Sequence, residues 1–156
     1  MQGVRPLTIS FKNQLCKQNG LLPKLTLISY LRLPITINKA FRGDHFGYTI
    51  TLAGRHDLSS KIKLYSNLGV TQDQESTDIS YLSALEINYN ITEKFSAFTE
   101  YFGNYGSHTS AVNGLDIGFV YAVKNNLAVD LAFGSPTLKL NTARYISLWA
   151  SIRLPK

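Results

Sequence analysis

The stretch ISYLSALEINYNI, residues 79–91, decides the fold, because apolar and polar side chains alternate along it. Tyr81, Leu85 and Ile87 fall on one face, whereas Glu86 and Asn88 fall on the other. Successive side chains of a β-strand point to opposite faces of the sheet. The alternation therefore predicts one strand with an apolar side and a polar side.

The same alternation recurs along most of the chain, and we interpret the protein as all-β. At about 3.3 Å per residue and a tilt near 45°, a strand of about ten residues rises ~23 Å. That height is typical of the apolar band of an outer-membrane β-barrel, whereas soluble strands are usually shorter. The predicted strands are 6–15, 24–33, 47–55, 61–71, 78–91, 95–104, 114–123, 126–133 and 145–154.

The connections between these strands alternate in length. Short turns at one end and longer loops at the other are typical of a membrane β-barrel. The first connection, 16–23, fits less well, because its place in the alternation calls for a short turn. The tight turns are 57–60, 92–94 and 124–125, and the loops are 34–46, 72–77, 105–113 and 134–144.

The number of predicted strands is odd, so the first and last strands run in the same direction. Bacterial single-chain barrels almost always have an even number of antiparallel strands. Unpaired edges facing lipid leave backbone groups without partners, at several kcal/mol per group. We therefore expect residues 1–156 to form a single domain that is an N-terminally incomplete part of a larger barrel; a miscounted strand is the alternative.

The composition favours a surface that does not face water everywhere. Charged residues make up 17% of the chain, whereas a soluble domain has about 25%. A Tyr-rich soluble sandwich is the alternative reading of the same composition. We expect no transmembrane helix, since that requires about 18 consecutive apolar residues. The first residues lack the pattern of a secretory signal, so either the chain is mature or its start is missing.

Several other function classes find no support in the sequence. The single cysteine, Cys16, excludes an internal disulfide, and the three histidines have no metal-ligand spacing. Although the net charge is +6, the cations are not clustered in sequence, and we expect no nucleic-acid partner. Motifs of serine hydrolases, zinc proteases and phosphate-binding loops are absent, so we predict neither enzymatic activity nor a cofactor.

Charged residues at strand centres fall on the polar face. Because Lys or Arg facing lipid at the membrane midplane costs about 2–4 kcal/mol, we predict that this face lines a lumen. The lumen would have a basic wall from the first four strands and an acidic wall from the next four. The predicted lumen-lining residues are Lys12, Arg32, Arg55, Lys63, Glu86, Glu100, Asp116, Asp130 and Arg153.

Two readings of this lumen stay open. The charges could form salt bridges that brace a closed, non-conducting barrel, or they could orient a polar solute across an open pore. Phe98, Phe102 and Trp149 are predicted on the same polar face, where they either fill space or stack on an aromatic solute. Tyrosines near strand ends fit the aromatic girdles of a membrane protein. They are Tyr30, Tyr48, Tyr105 and Tyr145.

Several stretches resemble a known family. They are KNQLCKQNGLLPKLTLISYLRLPI (12–35), SNLGV (66–70), INYNITEKFSAFTEYFG (87–103) and DIGFVYAVKNNLAVDLAFG (116–134). Together they are similar to the C-terminal two-thirds of the outer-membrane barrels of the phenol meta-pathway family, which are often described as transporters. The acid after FT, Glu100, and the acid within NLAVDL, Asp130, carry the sharpest likeness.

The resemblance implies a membrane β-barrel of roughly a dozen strands with a role in solute passage, and it carries over no catalytic residue. The family's signal peptide and first strands have no counterpart here. The chain ends Leu154-Pro155-Lys156, whereas membrane barrels commonly end on an aromatic residue that the insertion machinery reads.

We therefore predict an antiparallel meander β-barrel in the outer membrane of a Gram-negative bacterium. Its function would be passive passage or binding of small, in particular aromatic, solutes. Its partners would be the lipid bilayer, the solute and, for the full-length parent, the outer-membrane insertion machinery. The alternatives are a structural, non-conducting barrel and a soluble lipocalin-like binder whose apolar face points inward.

Overall fold

The computed structural model describes residues 7–35, 44–106, 111–136 and 144–154. Within these ranges the secondary structure consists of β-strands, and no helix is long and apolar enough to cross a membrane. The strands are β1 (Thr8–Cys16), β2 (Lys24–Arg32), β3 (Gly47–Asp57), β4 (Ile62–Gln72), β5 (Ile79–Asn90), β6 (Phe95–Gly106), β7 (Val112–Lys124), β8 (Leu127–Ser135) and β9 (Tyr145–Ile152).

All nine predicted strands are confirmed, and no strand end differs from its predicted position by more than two residues. The strands form one sheet in the order β1 to β9, and every neighbouring pair is antiparallel. This antiparallel meander confirms the predicted fold class. In the described part of the chain β1 and β9 are the two edges of the sheet, so closure into a barrel stays a prediction.

The connections define two ends of the sheet. We call one the turn end, where the chain crosses at 17–23, 58–61, 91–94 and 125–126. We call the other the loop end, where the crossings are 33–46, 73–78, 107–111 and 136–144. Residues 36–43, 107–110 and 137–143 of the loop end lie outside the described residues.

The first turn-end connection is shorter than its eight residues suggested. Asn19 and Leu22 exchange two backbone hydrogen bonds of 3.0 Å, which extends the β1–β2 hairpin by one further pair. Gly20 has a φ of 56°, the sole positive φ among the described residues. A two-residue hairpin loop with a positive φ only at its first central position is a type II′ turn, which favours Gly there. The connection is therefore a tight turn after all.

The sheet is a single layer whose apolar face is open. Ala132 is the one hydrophobic residue in the described segments that is buried, whereas Ile117, Leu68 and Leu148 are 55%, 64% and 71% exposed. Residues of the polar face are mostly half-buried, as the alternating exposure along β5 and β7 shows. A flat isolated sheet would expose both faces alike, but here the polar face is less exposed than the apolar face. The sheet therefore curves toward its polar side, and we call the polar face concave and the apolar face convex.

Candidate functional site

The strand-borne charged residues lie almost entirely on the concave face. Cross-strand partners share a face, and the register therefore assigns each residue a side. Eight of the nine predicted site residues lie in strands, and all eight lie on the concave side. Arg153 follows β9, where its backbone N–H donates to the carbonyl of Asn126. The exception among strand-borne charges is Lys124, which pairs with Leu127 beyond a bulge at the end of β7.

Six of the concave-face residues stand in one line across the sheet, which we call the charged row. Each member lies directly opposite the next on the neighbouring strand. Two cations are followed by a tyrosine and then by three carboxylates, so charges of like sign are adjacent. The charged row is Lys24, Arg55, Tyr65, Glu86, Glu100 and Asp116, and its line continues through Gly134 to Tyr145.

The line of this row crosses the sheet obliquely, from one end to the other. Lys24 is the first residue of β2, at the turn end, whereas Glu100 lies midway along β6. Tyr145 is the first residue of β9, at the loop end, and its hydroxyl donates a hydrogen bond to Oδ1 of Asp116. The charged row thus has its positive charge near the turn end and its negative charge nearer the middle of the sheet.

The described residues contain one ion pair, between Arg55 and Asp57, in which Nε lies 2.9 Å from Oδ1 and Nη2 3.1 Å from Oδ2. Both residues belong to β3, two positions apart, so the pair joins no two strands. Directly opposite like charges destabilise a sheet by up to about 1 kcal/mol per pair. Among the described residues, therefore, no ion pair joins one strand to another.

The remaining predicted site residues lie off the row. Lys12 is opposite Ile28, and Lys63 is opposite Asp57. Asp130 lies between Val120 on β7 and Trp149 on β9.

Arg32 lies at the loop end, where its Nη2 is 3.2 Å from Oγ1 of Thr49 and 3.3 Å from Oγ1 of Thr71. Its Nε is buried without a partner in the described structure. Arg32 thus holds the ends of β2, β3 and β4 together at the loop end.

The aromatic residues predicted on the polar face are found there. Phe98 lies opposite Gly118 and Phe102 opposite Gly114, and each ring covers its glycine. Trp149 lies opposite Asp130 at the edge of the sheet and is 67% exposed. The two phenylalanine rings therefore cover backbone, whereas the tryptophan ring is accessible.

Two tyrosines of the row's line were missed by sequence reasoning. Tyr65 was not singled out. The prediction that Tyr30 and Tyr145 belong to aromatic girdles is wrong, because Tyr145 hydrogen-bonds Asp116 on the concave face and Tyr30, opposite Thr49, lies on that face too.

The sequence contained a signal for the position of Tyr145. Tyr145 and Trp149 are four residues apart and so lie on the same face of β9, whereas Ile146 lies on the other face.

No group of three or more His, Cys, Asp or Glu side chains in the described ranges could hold a metal ion. The three neighbouring carboxylates of the charged row are accordingly not read as a metal centre. They form a surface of negative charge on the concave side of the sheet.

These observations define a class of protein, an antiparallel meander sheet with an apolar convex face, on which Lys124 is the one charged residue of the described strands, and a charged concave face. A family model described as "putative MetA-pathway of phenol degradation" matches residues 2–152. The chain belongs to this family, as the resemblance predicted. No curated protein and no solved structure matched the chain.

Proposed function

We propose that the protein is an outer-membrane β-barrel whose convex face contacts lipid and whose concave face lines a path for small solutes. The observation that carries this proposal is the division of side chains between the two faces. Within the described strands no charged residue lies on the convex face except Lys124 at a strand end. Solutes would cross passively, without a chemical step.

The extent of exposed apolar surface supports contact with lipid. The protein has 11571 Å² of accessible surface, whereas a compact soluble monomer of 17.4 kDa has about 7,900 Å². Soluble domains bury one apolar face against a second layer, and this sheet has none in its described part. Contiguous apolar patches beyond about 600 Å² are rare on soluble monomers. A hydrocarbon environment would remove this surface from water.

Aromatic residues on the convex face form two bands. One band lies near the loop end and consists of Tyr48, Tyr81 and Tyr105. The other lies near the turn end and consists of Tyr89, Phe95, Phe119 and Tyr121. Along β5 the bands are eight residues apart, or about 26 Å. Two aromatic girdles that flank an aliphatic zone are typical of outer-membrane barrels.

A lipocalin-like binder has the opposite arrangement, because its apolar face points inward. Here Ile117 is 55% exposed on the convex side, whereas Asp116 is half-buried on the concave side. The family description names phenol degradation, which supports small aromatic compounds as the solutes. The outer-membrane insertion machinery would be the partner in biogenesis.

A matched pair of substitutions in β5 tests the orientation. Leu85 is on the convex face and Leu82 on the concave face, opposite Gly69 and Asn104. Leu85→Lys should abolish or strongly reduce recovery in the outer membrane, since a lipid-facing Lys costs about 2–4 kcal/mol. Leu82→Lys should be recovered there at the level of the unsubstituted protein. Equal recovery of the two variants, or a protein that stays soluble without detergent, would contradict lipid contact.

Passage is tested by liposome swelling with neutral sugars of increasing size. Liposomes that contain the protein should swell faster than protein-free liposomes, and small solutes should give faster swelling than large ones. Swelling no faster than in protein-free liposomes would contradict solute passage. It would not bear on the membrane location, which the Leu85→Lys and Leu82→Lys variants test separately.

A further inference from the structure

We propose that a cavity on the concave face, centred over β2, β3 and β4, binds small aromatic carboxylates. This inference rests on the proposed function and names one class of solute for it. The cavity has a volume of about 260 Å³ and is lined by Lys12, Lys24, Ile28, Arg55, Tyr65 and Glu86, among others. Ligand sites usually measure about 300–1,000 Å³, so this cavity suits a molecule with a single ring.

Two cations at one side of the cavity provide the anion-binding part. Lys24 and Arg55 lie directly opposite each other on β2 and β3, where like charges repel. Arg55 is paired with Asp57, but Lys24 has no hydrogen-bond or ion-pair partner in the described structure. Lys12 also lines the cavity, from β1. A bound carboxylate would accept charge-assisted hydrogen bonds from this pair and relieve the repulsion between them.

An aromatic ring and an aliphatic side chain provide the apolar part. Tyr65 follows Arg55 in the charged row, and its ring centroid is 5.9 Å from Cζ of Arg55. Ile28 is on β2, two strands from Tyr65, and lines the same cavity. A flat apolar ring can stack on Tyr65 while its carboxylate reaches Lys24 and Arg55.

The charge beyond Tyr65 fixes the orientation of the bound molecule. Glu86 is the next residue of the row and begins the run of three carboxylates. A ligand carboxylate is repelled from this side, whereas a hydroxyl group on the ring can donate a hydrogen bond to Glu86. The cavity therefore favours a monocarboxylate over a dicarboxylate that has acid groups at both ends of its ring.

The proposal is tested by calorimetric titration of the purified full-length protein in a zwitterionic detergent. Benzoate is the probe, and acetate, phenol and terephthalate are the comparison compounds. Benzoate should bind, and the other three should bind at least about tenfold more weakly. No binding of benzoate, or acetate binding as tightly as benzoate, would overturn the assignment.

Substitutions then locate the binding to the cavity. Lys24→Gln and Tyr65→Leu should each weaken benzoate binding by about tenfold. Lys61→Gln is the matched control, since it removes the same charge from the exposed β3–β4 turn and should leave binding unchanged. Equal weakening by Lys24→Gln and Lys61→Gln would show unspecific attraction and overturn the proposed cavity. Arg55→Gln is a second variant for the cationic side.

Failure of this inference can be told apart from failure of the proposed function. If liposomes swell in neutral solutes but benzoate does not bind, the protein passes solutes and the cavity proposal is wrong. If benzoate binds as described but no solute crosses, passage is wrong and the cavity remains a binding site.

Discussion

Gly118 lies beneath the ring of Phe98, where there is no room for a side chain. A Cβ atom there would come within 2.6 Å of Cε1 of Phe98 and 2.7 Å of the backbone oxygen of Leu131. We expect Gly118→Ala to lower the free energy of unfolding by about 1–3 kcal/mol, because the backbone oxygen cannot move aside. Urea unfolding in detergent, followed by the gel mobility of folded and unfolded protein, measures this loss.

A double-mutant cycle with Phe98→Leu separates the two contacts. The combination should recover only part of the loss, since it removes the ring but leaves the contact with Leu131. Full stability of the single Gly118→Ala variant would contradict the close packing of ring and strand.

At the scale of elements, one glutamine ties two loop-end connections to the sheet. Gln74 is 8% exposed, and its Nε2 lies 3.4 Å from the carbonyl oxygens of both Arg32 and His45. Gln74→Ala removes these bonds at a cost of about 1 kcal/mol and should increase local opening about fivefold. Limited proteolysis should then cut faster within 73–78, with no change in the fraction of folded protein.

Gln18→Ala is the matched control at the turn end. There the Gln18 side chain makes bonds of 3.1 Å and 2.7 Å to the backbone of Asp57. This variant should leave cleavage within 73–78 at the rate of the unsubstituted protein. The same rate in Gln74→Ala would show that the glutamine does not secure the connection.

The strands and their faces could be predicted from the sequence because alternation is a local property. The alternation in residues 79–91 can be recognised without knowing the neighbouring strands. The assignment of Glu100 and Asp116 to the polar face likewise follows from the alternation in their own segments. Which residues lie opposite one another is not local, because it depends on turn geometry and bulges. The register shifts between Gln14 and Cys16 and between Ala122 and Lys124 left no signal that we recognised.

The same distinction applies to the candidate site. The acidic wall could be predicted from the alternation of each strand alone. The position of Tyr65 between Arg55 and Glu86 could not, because it depends on the register between strands. Gly20 illustrates the opposite case, since its type II′ turn has a recognisable sequence preference that the length of the connection obscured.

At the scale of the whole molecule, the three carboxylates that β5, β6 and β7 contribute to the charged row lie together and apart from its cations. Glu100 lies between Glu86 and Asp116, and in the described structure no cation is opposite any of the three. A barrel braced by salt bridges would place cations against these acids, as the non-conducting alternative requires. The two alternatives therefore predict opposite effects of neutralising Glu100.

In an open, unbraced lumen, Glu100→Gln should raise the free energy of unfolding by about 0.5–1 kcal/mol, because it removes two repulsive neighbours. The gain should shrink as salt increases from about 0.02 M to 0.5 M, since salt screens the repulsion. Urea midpoints at the two salt concentrations measure both effects, with Lys124→Gln at the end of β7 as the control for a change of charge. A lower stability of Glu100→Gln would instead reveal a cation that pairs with this carboxylate, and would favour the braced, non-conducting barrel.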